Sequence, residues 1–141
     1  MVIIKQLEKD DWLEVFNVMH ELRPHLTETT YLELLNEMEL QGYKMFALYE
    51  EDVLVAVTGV SIITNLYYGR HVYVYDLVTT NSKRSKGYGE KLLSYLENWG
   101  KENDCETIAL SSALFRTDAH RFYEHKMNYE KPSFVFKKTL Q

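Results

Sequence analysis

An α/β fold is what this sequence predicts: helices layered on both faces of a central mixed, mostly antiparallel sheet. Three observations carry that expectation. Apolar residues at helical spacing near the N-terminus give way to β-rich runs split by an acidic turn, Glu50-Glu51-Asp52, which reads as a hairpin. A strand, an amphipathic helix and a short apolar strand then follow, and that β-α-β order brings in a crossover connection. The chain of 141 residues is one domain's worth, has only two prolines, and shows no repeat, linker or low-complexity stretch, so 1–141 reads as a single domain.

Each element has its own signal. Val2 to Leu7 reads as a short strand. Asp10-Asp11 open a helix whose inward stripe is Trp12, Val15, Phe16 and Met19, and Pro24 separates it from the next. Thr30-Tyr31-Leu32-Glu33 has the form of a capping box, ahead of a stripe of Tyr31, Leu34, Leu35 and Met38 that Gly42 stops. Tyr43 to Tyr49 and Val53 to Thr64 are the hairpin strands, and Asn65 to Arg70 the next connection. His71 to Thr79 is a third strand, with Val72, Val74 and Asp76 expected on one face and Tyr73, Tyr75 and Leu77 on the other. From near Gly87, a helix carries Tyr88, Leu92, Tyr95, Leu96 and Trp99 inward, ending around Gly100 to Asn103. Glu106 to Ser111 is a short strand and Thr117 to Lys126 a helix. Ser133 to Leu140 is expected to close the chain as a strand, with a further short one around Tyr129.

Composition excludes several classes of function. Hydrophobic residues make up 45% and charged residues 26%, which is ordinary globular composition. A net charge of −5 argues against a general nucleic-acid binder, which needs a broad basic face. Cys105 is the single cysteine, so a disulfide framework and a thiolate zinc cluster are out, and a reducing cytoplasm is the expected location. No apolar run nears the roughly 20 residues of a membrane span. The five histidines lack ligand spacing, and no metal is expected.

The informative stretch is the loop after the third strand. It holds Lys83, Arg84 and Lys86, then Gly87 and Gly89 opening the amphipathic helix. Free amides and the positive dipole end at a helix start attract anions, and glycine lets a phosphate come close. Neither G-x-x-x-x-G-K-[ST] nor G-x-G-x-x-G fits, since Leu92 stands where the latter needs its last glycine. An ordinary helix start beside a solvated basic loop is the alternative on these residues alone.

Arg84-Ser85-Lys86-Gly87-Tyr88-Gly89 matches [Q/R]-x-x-G-x-[G/A] and resembles the acetyl-coenzyme A loop of the GNAT superfamily of N-acetyltransferases. Ala119 to Tyr129 is similar to that family's A-x-x-(F/L)-Y-E-x-x-G-(F/Y) segment, and the element order agrees over nearly all of the chain. The resemblance implies a GNAT-like acyl-CoA fold and an enzyme moving an acetyl group from acetyl-CoA to a primary amine of a small molecule or peptide by direct attack. It implies cofactor contacts from the backbone of Leu77, Val78 and Thr79, from the amides of Ser85, Lys86, Gly87, Tyr88, Gly89 and Glu90, and from Arg84 setting the loop. It also implies Tyr123 as the general acid that protonates the departing thiolate. Ser85 replaces a common glycine and is expected to keep a negative φ; Arg116 stands where many members carry an asparagine; Asn128 replaces a glycine at a left-handed turn.

Asp76, in an apolar strand that ends at the loop, is the candidate general base, with an ordered water or a merely structural carboxylate as alternatives. The competing function is a non-catalytic acyl-CoA-binding regulatory module, which needs the loop but no acid. Glu21, Glu28, Glu33 and Glu37 in the first two helices hint at a cationic acceptor. A homodimer is left open.

Overall fold

The computed structural model describes every residue except Phe115 and falls into two compact units, Met1–Ala109 and Leu110–Gln141. The sheet has five strands in spatial order β1 (Val2–Gln6), β2 (Lys44–Glu50), β3 (Val53–Asn65), β4 (Gly69–Thr79) and β5 (Thr107–Leu110). The first three neighbouring pairs are antiparallel. β5 is reached from β4 through a helix, the crossover that a parallel neighbour requires, and the sheet is mixed.

Alternation along β2 shows why helices cover both faces. Met45 and Ala47 join a core with Trp12, Phe16, Met19, Tyr31 and Leu35, from the segment around α1 (Phe16–Leu22) and from α2 (Glu28–Leu40). Phe46, between them, points the other way, with ring centroids 5.4 Å from Tyr95 and 5.2 Å from Trp99 of α3 (Tyr88–Glu102). Leu92, Leu93 and Leu96 of α3 are fully buried, each worth about 1.5–3 kcal/mol of transfer free energy. Gly100 lets α3 approach the sheet, because a Cβ there would sit 2.8 Å from a methyl of Val72.

Local chemistry sets the boundaries. Two short 3₁₀ turns, Lys9–Asp11 and Leu13–Val15, precede α1, so the first apolar stripe is delivered by a broken helix. α2 begins earlier than the Thr30 capping box predicts: Thr27 is the N-cap, its Oγ1 accepting from the Thr30 amide at 3.1 Å while Thr30 Oγ1 accepts from the Thr27 amide at 2.9 Å. Glu51 and Asp52 have φ of 48° and 66°, which makes the β2–β3 connection a two-residue hairpin loop with the twist of a type I′ turn.

The expected two faces of β4 do not run its whole length. Asp76 pairs with Gly59 and Val74 with Val60, leaving Tyr75 as an extra residue opposite no partner. Upstream of this β-bulge Tyr73 and Tyr75 share one face; downstream, Asp76 and Val78 take over that face. Asp76 therefore lies with the tyrosines and not with Val72 and Val74, because one inserted residue exchanges the faces.

In the second unit, α4 (Thr117–Arg121) passes into a π-helical turn, Phe122–Lys126. Asn128 follows in the left-handed region at φ 61°, as its replacement of glycine implies. Neither Ser133 to Leu140 nor the Tyr129 segment is a strand. Phe134, Val135 and Phe136 are exposed, so the alternating pattern supplies β-propensity, but a strand also needs a neighbour to pair with.

Candidate active site

β4 ends at Thr79, and the chain then makes the turn on which the expected cofactor contacts lie. The backbone of Leu77, Val78 and Thr79 is held in register by Thr58, Val57 and Ala56 of β3. The Thr80 amide donates to the Val55 carbonyl at 2.9 Å and extends that register by one residue. Glu21 of α1 clamps the exit: its carboxylate accepts from Thr80 Oγ1 at 2.6 Å and from the Asn81 amide at 2.8 Å. Arg84 Nε reaches back to the Thr79 carbonyl at 3.3 Å and closes the loop on itself.

Two residues of this loop are left-handed, Ser85 at φ 65° and Gly87 at φ 83°. Ser85 thus departs from the negative φ expected of it. Serine costs something in that region, and the alternation of left-handed with ordinary residues turns successive amides to one side, a geometry that suits anions. Gly87 is the N-cap of α3 and offers no capping side chain to the helix's first amides. Lys86, Tyr88, Gly89 and Glu90 complete the segment, and the arginine and Lys86 side chains are exposed.

Immediately upstream, Asp76 sits in a network that periodicity does not reveal. Its Oδ1 accepts from Arg23 Nε at 3.0 Å and its Oδ2 from the Tyr43 hydroxyl at 2.8 Å. Arg23 Nη2 also donates to the Tyr75 carbonyl at 2.9 Å, so the guanidinium holds the bulged residue and its neighbour together. Pro24 keeps Arg23 out of the helical region, at φ −122° and ψ 66°, just past the end of α1. Tyr43 fits only because β3 has glycine beneath it: a Cβ on Gly59 would lie 1.6 Å from the Tyr43 hydroxyl oxygen. Burial pushes the Tyr43 phenol well above its ordinary range, and the neighbouring Asp76 charge pushes the same way.

This network forms one end of a cavity of about 350 Å³ in the first unit. Tyr31, Tyr43 and Tyr75 line it together with aliphatic side chains of α1, α2 and the intervening loop. Arg23, His25 and Asp76 are its other polar members. None of Glu21, Glu28, Glu33 and Glu37 lines it.

Tyr123 belongs to the second unit and is described there. It lies in the π-helical turn, a form common at functional positions, with its carbonyl accepting from the Tyr129 amide at 2.8 Å. Burial raises its phenol above the ordinary range, partly opposed by the positive charge of Arg116. Among the described residues no three His, Cys, Asp or Glu side chains gather as a metal site would need, and no helix is long and apolar enough to cross a membrane.

Residues 77–79 and 84–90 are thus brought to one end of β4, with Asp76 one residue away. Tyr43, Arg23 and Gly59 are the site residues that sequence reasoning missed. The isolated glycine in an apolar strand was the available signal for Gly59, since it marks a bulge or a close approach. Arg23 and Tyr43 lie 53 and 33 residues from Asp76, and no local pattern links them.

Comparison with known proteins agrees with this architecture. The profile of the acetyltransferase (GNAT) family matches residues 4–129. A Bacillus subtilis (strain 168) protein described as the uncharacterized N-acetyltransferase YhdJ is 41% identical over 142 residues, spanning 99% of this chain and all of that one. Among solved structures, the aminoglycoside N-acetyltransferase AAC(6')-Iy in complex with CoA superposes with a TM-score of 0.85 at 18% identity, covering 100% of this chain and 96% of that one. A transcriptional regulator from Bacillus halodurans C-125 has the same TM-score, 0.85, at 19% identity over 99% of this chain and 100% of that one, so fold similarity alone does not separate enzyme from regulator. The profile match over most of the chain and the relative at 41% identity do: the chain belongs to the GNAT family of acetyltransferases and is an N-acetyltransferase.

Proposed function

We propose that this chain transfers the acetyl group of acetyl-CoA to a primary amine of a small molecule or peptide by direct attack. The observation that carries the reading is the end of β4. A registered strand edge runs into a loop turned by left-handed Ser85 and Gly87, carrying Lys83, Arg84 and Lys86, and opens onto the uncapped start of α3. The residues fit a pyrophosphate: a Cβ built on Gly87 meets nothing within 4 Å, so the approach to these amides is open. Acetyl-CoA, when bound, supplies an activated acyl carbon and a thiolate leaving group.

The chain's own residues then have separable tasks. The amides of Ser85 to Glu90 hold the phosphates, and Arg84 keeps the loop in shape. The peptide groups of Leu77, Val78 and Thr79 orient the donor, and an amide fixed by the sheet gives a preorganised partner for the developing oxyanion. Tyr123 donates its phenolic proton to the departing sulfur; an ordinary phenol already holds that proton at neutral pH, and burial raises this one further.

Asp76 acts on the acceptor side. As a base it would use the lone pairs its two hydrogen bonds leave; as an anchor it holds Tyr43 and Arg23 in place. The occupation of both oxygens favours the anchor, with water taking the amine's proton. Asp76→Asn separates these roles: a base lost depresses activity chiefly at low pH, whereas an anchor lost raises KM for the amine at every pH.

Thiol release from acetyl-CoA, measured with a panel of primary amines and alongside calorimetric binding, tests the whole reading. Amine-dependent release is the expected result. Tight binding of acetyl-CoA with no release across the panel would favour the non-catalytic acyl-CoA-binding module instead.

A further inference from the structure

The acceptor's chemistry is written in the cavity beside Asp76. Eight of its eleven lining side chains are apolar or aromatic: Met19, Leu26, Leu34, Leu35, Met38 and three tyrosines. Its one carboxylate, Asp76, already faces the Arg23 guanidinium at 3.0 Å, so the cavity carries no surplus negative charge. The acidic side chains that hint at a cation are elsewhere: Glu28, Glu33 and Glu37 are exposed, and Glu21 is committed to Thr80 and Asn81.

At about 350 Å³ the space is at the small end of ligand pockets, which run from about 300 to 1,000 Å³. Its polar end is formed by Tyr75 and Asp76, and the proposed donor edge, Leu77 to Thr79, continues the same strand at about 3.3 Å per residue. The bulge makes this possible by turning two consecutive residues of β4 into one cavity.

We propose that this cavity binds the acceptor, and that the acceptor is a primary amine on a compact apolar body, aliphatic or aromatic, and not a polycation. The proposal rests on the acetyltransferase reading above for the fate of the amine, but not for its binding. The apolar walls take the body out of water, while the Tyr43 oxygen and the remaining lone pairs of Asp76 receive the amino group. A second and third ammonium would enter the apolar walls with no carboxylate to meet them, which is strongly unfavourable.

The test uses the full chain and three kinds of amine: a series of n-alkylamines, phenethylamine, and the polycations spermidine and kanamycin. With acetyl-CoA as donor, kcat/KM should rise about three- to fourfold for each added methylene until the cavity is full. Phenethylamine should exceed both polycations by at least tenfold. Binding of phenethylamine, followed by NMR shift perturbation without donor, gives a readout independent of catalysis. Leu34→Glu places a carboxylate in the wall at a half-exposed position, where folding is little disturbed, and should weaken phenethylamine binding about tenfold while improving spermidine.

If a polycation is the better substrate or ligand of the wild type, or if binding ignores chain length and the Leu34 variant, the proposal fails while acetyl transfer can stand. If phenethylamine binds as expected and is never acetylated, the transferase reading fails and the pocket assignment stands. If no amine binds or reacts, both fall.

Discussion

Replacing Tyr123 by Phe keeps the ring and deletes one oxygen, so it isolates the proton transfer proposed for this residue. We expect Tyr123→Phe to lower kcat and kcat/KM together by a factor of about 10²–10⁴, with acetyl-CoA affinity barely changed. An acyl donor with a lower-pKa thiol should recover part of the loss. Full kcat in the variant would make Tyr123 a packing residue of its π-helical turn. Gly59 is the matching test on the acceptor side. Gly59→Ala places a methyl inside the Tyr43 ring, 1.6 Å from its oxygen, so the ring must leave Asp76. Overpacking of this kind costs about 1–3 kcal/mol, read as a lower denaturation midpoint. In a Tyr43→Ala background the same change should be nearly neutral, and that non-additivity is the signature of the contact. Neither Tyr43 nor Arg23 is legible in the sequence as a partner of Asp76. An apolar strand predicts a partly desolvated carboxylate, as found, but which side chains meet it is decided by tertiary packing across three elements.

Among the elements, the loop from Arg84 to Glu90 carries the proposed cofactor contacts. Gly87 has φ 83° and caps α3. Gly87→Val sets a branched Cβ on a left-handed residue and over the amides. Acetyl-CoA affinity should fall at least tenfold, about 1.4 kcal/mol, by calorimetry. Because the backbone is strained as well, stability should drop by about 1 kcal/mol or more. A folded variant with wild-type affinity would remove the loop from the binding site. The strands β1 to β5 are legible as β-rich apolar runs bounded by turn residues, and helix α3 as a stripe of helical period. The start of α2 was misread because two threonines three apart each look like an N-cap, and only hydrogen-bond geometry tells them apart. The bulge at Tyr75 leaves no trace in a period-two pattern, since tyrosine suits either face. The C-terminal segment shows the opposite error: alternation with no strand behind it.

At the scale of the whole molecule, four tyrosines share a thermodynamic consequence. Tyr31, Tyr43, Tyr49 and Tyr123 all have phenols raised above the ordinary range, with burial the first cause in each. The unfolded chain releases these protons near pH 10, while the folded chain still holds them. Their contribution to stability is therefore present in full below about pH 10 and is lost as pH rises from there toward the folded values. Tyr31 and Tyr43, the most buried, should each steepen the loss by up to about 1.4 kcal/mol per pH unit. Denaturant melts from pH 8 to 11 should show a flat region and then a fall, and Tyr31→Phe should make the fall shallower. A decline that begins well below pH 9 would point to other groups.

The extra residue in β4 also divides one strand into two reading frames. Side chains before it and peptide groups after it no longer share a phase, because Tyr75 absorbs the step between them. Substitutions at Tyr75 therefore reshape the cavity wall without rotating the Leu77 to Thr79 backbone, the proposed donor edge. Length changes are another matter. Deleting a single residue between Val72 and Asp76 would remove the bulge and leave Asp76 and Val78 on the core face, but with one side chain fewer turned into the cavity. One residue inserted between Asp76 and Val78 would instead exchange the faces downstream and turn Val78 out of the core.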